Sequence, residues 1–125
     1  MGSVTKLTVL VVEDEALIRL DLASYLMQRG FNVLEAGSAD EAIEILERDR
    51  TIRVVFTDVR MPGDMDGIAL SKCVRERWPP TVIVVCSGNL EEAVDVADIH
   101  IIEKPYLPEQ LLMVLDAVEQ QIQAP

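Results

Sequence analysis

Positive charge is scarce in this chain beside negative charge. Lys and Arg number 11 against 22 Asp and Glu, and the net charge is -11. Such a surface repels phosphate backbones, so direct nucleic-acid binding is not expected. It suits solubility, and it suits partners that offer basic patches. Cysteine is also scarce. Cys73 and Cys86 lie too far apart for a short metal or redox motif. Cys86 sits in an apolar run and reads as a buried thiol, and Cys73 falls in a predicted helix. Two scattered thiols without a secretion signal fit a reducing cytoplasm. Met1-Gly2-Ser3 opens no signal-peptide core, and no apolar run is long enough to span a bilayer. Lys6 stands where a myristoylation motif needs Ser or Thr. Internal repeats, low-complexity tracts and linkers are missing, as is a glycine-rich nucleotide loop. The 125 residues therefore read as one domain over 1–125, with residues 1–5 a flexible tail or a cloning remnant.

What the chain does have is alternation of strand and helix patterns. Leu7 to Val12 is apolar and β-branched, and it ends on Glu13-Asp14-Glu15. Ala16 to Arg29 reads as a helix with Leu17, Leu20, Ala23 and Met27 on its buried face, stopped by Gly30. Phe31 to Glu35 is a short strand. Ser38 opens the next helix with Glu41 three residues on, a capping-box spacing, and Ala42, Ile45 and Leu46 form its apolar stripe. Arg53 to Thr57 is a third strand, and it delivers Asp58 to its tip. A helix from about Gly67 to Arg77 ends at Trp78-Pro79-Pro80. Thr81 to Cys86 is unbroken apolar strand, which predicts cover on both faces. His100-Ile101-Ile102 leads through Glu103 to Lys104-Pro105, and a final helix runs from about Pro108 to Gln121. Its expected buried stripe is Leu111, Leu115, Val118 and Ile122, with Pro108 in the first turn. Five strands alternating with helices predict an α/β fold, an open, doubly wound parallel sheet.

In such sheets ligands sit beyond the carboxyl ends of the strands, where strand order reverses. Asp14, Asp58, Ser87 and Lys104 all lie just past such ends. Carboxylates brought together resist joint ionisation, and a divalent ion removes the conflict. Hard oxygen donors without His or Cys favour Mg²⁺ over Zn²⁺. Mg²⁺ recruits phosphate oxygens, Lys104 supplies a point charge, and the Ser87 hydroxyl beside Gly88 can donate to a phosphoryl oxygen. A carboxylate in that setting is a competent phosphoryl acceptor. Singly, each residue has a plainer use. Asp58 and Ser87 could shape turns, Glu13-Asp14-Glu15 could complement a helix dipole, and Lys104 could be surface charge. The four features arriving in order at one sheet edge carry the functional reading.

With those residues in hand, the chain resembles the receiver domain of bacterial two-component response regulators. The matching segments are Val9 to Glu15, Phe56 to Pro62, Met65-Asp66-Gly67, Val85-Cys86-Ser87-Gly88 and Glu103-Lys104-Pro105-Tyr106. The short acidic chain with its Ser-Gly pair also looks like alphaproteobacterial stand-alone receivers. The resemblance implies a flavodoxin-like sheet in the order 2-1-3-4-5. It implies that Asp58 accepts a phosphoryl group from a histidine kinase or phosphotransfer protein. It implies Mg²⁺ held by Asp14, Asp58 and the Arg60 backbone carbonyl, with Glu13 acting through water. Ser87 becomes the switch hydroxyl, Lys104 the phosphate-binding lysine, and Lys104-Pro105 an expected cis bond. The implied protein is no enzyme beyond its own phosphorylation and dephosphorylation. It is a cytoplasmic monomer or weak homodimer that signals to an unknown downstream protein, away from membranes. The alternatives are a non-phosphorylated scaffold of the same fold and a receiver excised from a hybrid kinase or larger regulator. An aspartyl-phosphate phosphatase would want a second acid two residues after Asp58, where Arg60 stands.

Three features depart from the pattern. Gly63 and Asp64 make the loop after Asp58 one residue longer than usual, which reads as a harmless turn insertion. Only 16 residues separate Ser87 from Lys104, so the helix expected over Leu90 to Ala97 should be short, displaced or mobile. Ile101 stands where similar domains carry Tyr or Phe, so the usual aromatic rotation has no ring to move. Arg60 and Asn89 occupy positions that tune the lifetime of the phosphoryl group in similar domains. Arg60 can reach that group or point into solvent. His100, the single histidine, reads as a strand-edge residue rather than a phosphodonor.

Overall fold

The computed structural model describes residues 7–61, 63–89 and 99–123, the side chains of 122 and 123 excepted. Within them the order is β1 (Thr8–Val12), α1 (Ala16–Gln28), β2 (Asn32–Ala36), α2 (Ala39–Arg48), β3 (Ile52–Asp58), α3 (Gly67–Arg77), β4 (Val82–Ser87), β5 (Ile99–Glu103) and α4 (Pro108–Gln123). All strand pairs are parallel, in the order β2-β1-β3-β4-β5. The segment over Leu90 to Ala97, expected to be short, displaced or mobile, lies outside the described residues.

Alternation along each strand builds two cores. Val9 and Val11 of β1, Val54 and Phe56 of β3, and Val84 and Cys86 of β4 face α1 and α4, where Leu22, Leu26, Leu111 and Leu115 meet them. Leu10, Val12, Val55, Ile83 and Val85 face the other way, onto Ala42 and Leu46 of α2 and Leu70 and Val74 of α3. The apolar run of β4 is covered on both faces, as its lack of alternation predicts.

One helix face requires correction. The sequence puts Leu17, Leu20, Ala23 and Met27 inward on α1, yet Leu17 is 78% exposed and Leu20 and Met27 are each 51% exposed. Only Ala23 of that set is buried, beside Leu22 and Leu26. α1 is apolar around much of its circumference, so helical spacing fits two faces equally well. The sheet accepts the face holding Leu22 and Leu26.

The caps follow their residues. Ser38 Oγ accepts from Glu41 N, while Glu41 Oε1 accepts from Gly37 N, one residue before the reciprocal bond of a capping box. Asp66 caps α3 by accepting from Ala69 N. Gly63 has φ +103°, a value that favours glycine, so the extra residue of the β3–α3 loop turns back at the surface. α1 gives way at Gly30, and α4 buries Leu111, Leu115 and Val118 as expected.

Candidate functional site

The strand order reverses between β1 and β3, and the site lies there, at their carboxyl ends. Val12 pairs with Thr57 in register, so Glu13 and Asp58 leave adjacent strands side by side. Asp58 is level with Cys86, and Ser87 with Glu103. Two backbone bonds continue the ladders past the strands: Val59 N donates to Cys86 O at 3.2 Å, and Lys104 N donates to Ser87 O at 2.9 Å. The second bond sets Lys104 beside the end of β4, from which its side chain reaches across to β3. Its Nζ then donates to Asp58 Oδ2 at 2.5 Å. The Lys104-Pro105 bond is cis, as expected.

Asp58 is buried, with Oδ1 accepting from Arg60 N at 3.2 Å. The chain thereby folds back over its own carboxylate. The side of Arg60 is exposed. Ser87 is buried and closed on its own loop. Its Oγ donates to Asn89 O at 2.6 Å and accepts from Asn89 N at 3.0 Å. Glu13 is buried and Asp14 is exposed at the start of the loop. Asp58 and Lys104 border two cavities. One, of about 290 Å³, is lined by Arg60, Ser87, Gly88 and Asn89. The other, of about 480 Å³, is lined by Glu13, Glu15, Ile18, Phe56, Cys86 and Tyr106. Asp14 lines neither.

The electrostatics follow from this crowding. Burial raises the Glu13 carboxyl above its ordinary range, and the Glu15 backbone N–H opposes that by donating to it. Asp14 and the charge of Asp58 push it further up. Burial works against the Lys104 ammonium, but the hydrogen bond and charge of Asp58 outweigh it and raise its pKa. Burial pushes the Cys86 thiol up to about 12, with Lys104 opposing and Asp58 and Glu13 adding, so Cys86 is inert at neutral pH.

Two carboxylates plus a carbonyl suit Mg²⁺, which keeps several waters of its own. Among the described residues, no set of three or more His, Cys, Asp or Glu side chains is gathered for a metal. Glu13, Asp14 and Asp58 lie near enough to raise the Glu13 carboxyl, and their hard oxygen donors are of the kind that ion takes.

Two features escaped sequence reasoning. Arg19 on α1 donates from Nη1 to Glu13 O at 2.8 Å and from Nε to Glu35 Oε1 at 3.2 Å. Its one sequence signal is a lone cation among the apolar residues of α1. Tyr106 packs on Phe56 with ring centroids 5.8 Å apart, and no spacing rule foretells that contact.

Comparison with known proteins shows the family and the fold. The model of the response regulator receiver domain family matches residues 9–116. The hydrogenase transcriptional regulatory protein HoxA of Cupriavidus necator is 37% identical over 123 residues, 94% of this chain and 24% of HoxA. The transcriptional regulatory protein PdtaR of Mycobacterium tuberculosis is 35% identical over 113 residues, 86% of this chain and 54% of PdtaR. The chain thus spans about a quarter of one relative and about half of the other. The crystal structure of a response regulator receiver protein from Sinorhizobium medicae superposes with a TM-score of 0.82 at 36% identity, covering 93% of this chain and 96% of that one.

Proposed function

The chain belongs to the response regulator receiver domain family, and we propose that it accepts a phosphoryl group on Asp58 and relays that event through a changed protein-binding surface. The observation that carries this reading is the buried Asp58 carboxylate held by Lys104 Nζ at the strand-order reversal, with Glu13 alongside. The donor is a histidine kinase or phosphotransfer protein. An Asp58 carboxylate oxygen attacks phosphorus, the O–P bond forms, and the N–P bond of phosphohistidine breaks with its electron pair returning to the imidazole. Asp14, Asp58 and the Arg60 carbonyl would hold Mg²⁺ directly, with Glu13 through water. When bound, Mg²⁺ neutralises the carboxylates and the incoming phosphoryl oxygens. Lys104 already lies against Asp58 and has only to follow the new charge.

Readout begins at Ser87. Its hydroxyl hydrogen is spent on Asn89 O, so donation to a phosphoryl oxygen requires it to leave that bond. Breaking that bond changes how Asn89 is held at the head of the loop. The response passes through this loop rather than through an aromatic at Ile101. Leu17, Ile18 and Leu20 leave an apolar side of α1 exposed, and Ile18 lines the larger cavity, so this side suits a docking partner. Among the described residues no helix is long and apolar enough to cross a membrane.

The test is incubation with Mg²⁺ and acetyl phosphate, followed by intact mass, beside Asp58→Ala. One phosphate adduct, lost in Asp58→Ala, is the expected result. No adduct and no Mg²⁺ binding would instead favour a scaffold that keeps only the fold.

A further inference from the structure

We propose that Arg19 is the positioning residue of the acid loop: by gripping the Glu13 carbonyl and the Glu35 carboxylate together, it fixes the peptide before Asp14 and so sets the affinity for a divalent cation. This rests on the phosphoacceptor reading, and it names a residue outside the reacting groups.

Arg19 lies in the first turn of α1, its N–H bonded to Glu15 O at 3.0 Å. Helical side chains lean toward the helix N-terminus, which brings the guanidinium back over the loop that precedes α1. There it meets two acceptors from different strands, Glu13 O past the end of β1 and Glu35 Oε1 in β2. The Arg19 side chain is only 21% exposed, so the contact is largely shielded from water. The same edge is tied by Glu13 N donating to Ala36 O at 3.0 Å. Glu13 is therefore held to β2 directly at its N–H and through Arg19 at its C=O.

Peptide planarity carries that restraint onward. The Glu13 carbonyl and the Asp14 N–H share one plane, so fixing the first orients the second and the start of the Asp14 side chain. Asp14 is exposed and needs this help more than buried Asp58 does. Arginine suits the task because its planar fork presents two donors at a fixed separation, whereas lysine has one nitrogen. Its charge is met by Glu35, so the brace adds little repulsion against an arriving cation. The opposing effect is simple repulsion between guanidinium and metal, and it predicts the opposite sign.

Mg²⁺ titration calorimetry on the full chain separates the two, run on wild type, Arg19→Gln, Arg19→Lys and Glu35→Gln. Amide NMR of the metal-free proteins accompanies it. Loss of a group that orients a ligand weakens metal binding by about 10–100-fold. We expect that loss in Arg19→Gln, with the Asp14 amide resonance displaced before any metal is added. Acetyl phosphate labelling of Asp58 should return to the wild-type rate once Mg²⁺ saturates. Arg19→Lys keeps the charge and should still bind Mg²⁺ more weakly, while Glu35→Gln, which keeps an acceptor oxygen, should lose less. A folded Arg19→Gln with unchanged or tighter Mg²⁺ binding overturns the assignment, as does Arg19→Lys matching wild type. Should Arg19→Gln fail to fold, Arg19→Lys decides alone. Wild-type protein that bound no Mg²⁺ would bring down the phosphoacceptor reading itself, and this inference with it.

Discussion

Gly67 has no room for a side chain. A Cβ there would lie 1.9 Å from the Asp58 carbonyl oxygen and 2.9 Å from Val59 Cα, both rigid backbone. Gly67 N donates to Val59 O at 2.8 Å, so the first turn of α3 rests on the strand end that carries Asp58. Gly67→Ala must push α3 away or move Asp58. We expect a loss of about 1–3 kcal/mol in urea unfolding, together with slower labelling of Asp58 by acetyl phosphate. Arg60 acts on a different quantity. Its backbone is held to Asp58 and its side chain is exposed beside the smaller cavity. Under the proposed reading it shields or pairs with the phosphoryl group. Arg60→Ala should then shorten the lifetime by about two- to fivefold, the worth of an exposed charge contact. An unaltered decay of the phosphorylated protein would count against that role.

At the scale of the element, α1 shows why pattern and packing differ. Its sequence offers two apolar faces, and only contact with the sheet chooses between them. Leu22 is buried against β1 and α4 neighbours, whereas Leu20 is half exposed. Leu22→Ala should cost about 2–5 kcal/mol, the range for emptying a core leucine site. Leu20→Lys should change stability by less than about 0.5 kcal/mol. Urea unfolding of the two variants checks the assignment, and equal losses would show that the outer face is covered after all. α2 buries Ala42 and Leu46 and α4 buries Leu111, Leu115 and Val118 as their patterns predict, because each has one dominant stripe, and Ile122 lies outside the described side chains. The strands were legible for a related reason. An unbroken apolar run such as Val82 to Cys86 has no polar face to offer water.

The whole molecule sets the pH response. Burial, then the charges of Cys86, Glu13 and Asp58, push the Tyr106 hydroxyl up to about 12. In the unfolded chain a tyrosine ionises near about 10. The folded state thus binds this proton more tightly. The stability linked to Tyr106 is complete below about pH 10 and is lost as pH rises toward about 12. Tyr106→Phe should flatten that alkaline decline, measured by urea unfolding from about pH 9 to about pH 11. A decline that persists unchanged in Tyr106→Phe would place its origin elsewhere. Lys104 acts in the same direction, since its raised pKa keeps its contribution until higher alkalinity.

By itself the sequence determined the five strands, the parallel sheet and the identity of the charged residues at its carboxyl edge. These are local properties: runs of β-branched residues, glycine and proline breaks, and the residue standing next after each strand. Tertiary structure alone decided which side of α1 turns inward and that Ser87 closes onto Asn89. It also brought Arg19 to Glu13 and Glu35, and Tyr106 onto Phe56. Those pairings depend on strand order and register. They join groups from separate elements that no periodicity links, and packing selects among arrangements that the local pattern leaves equal.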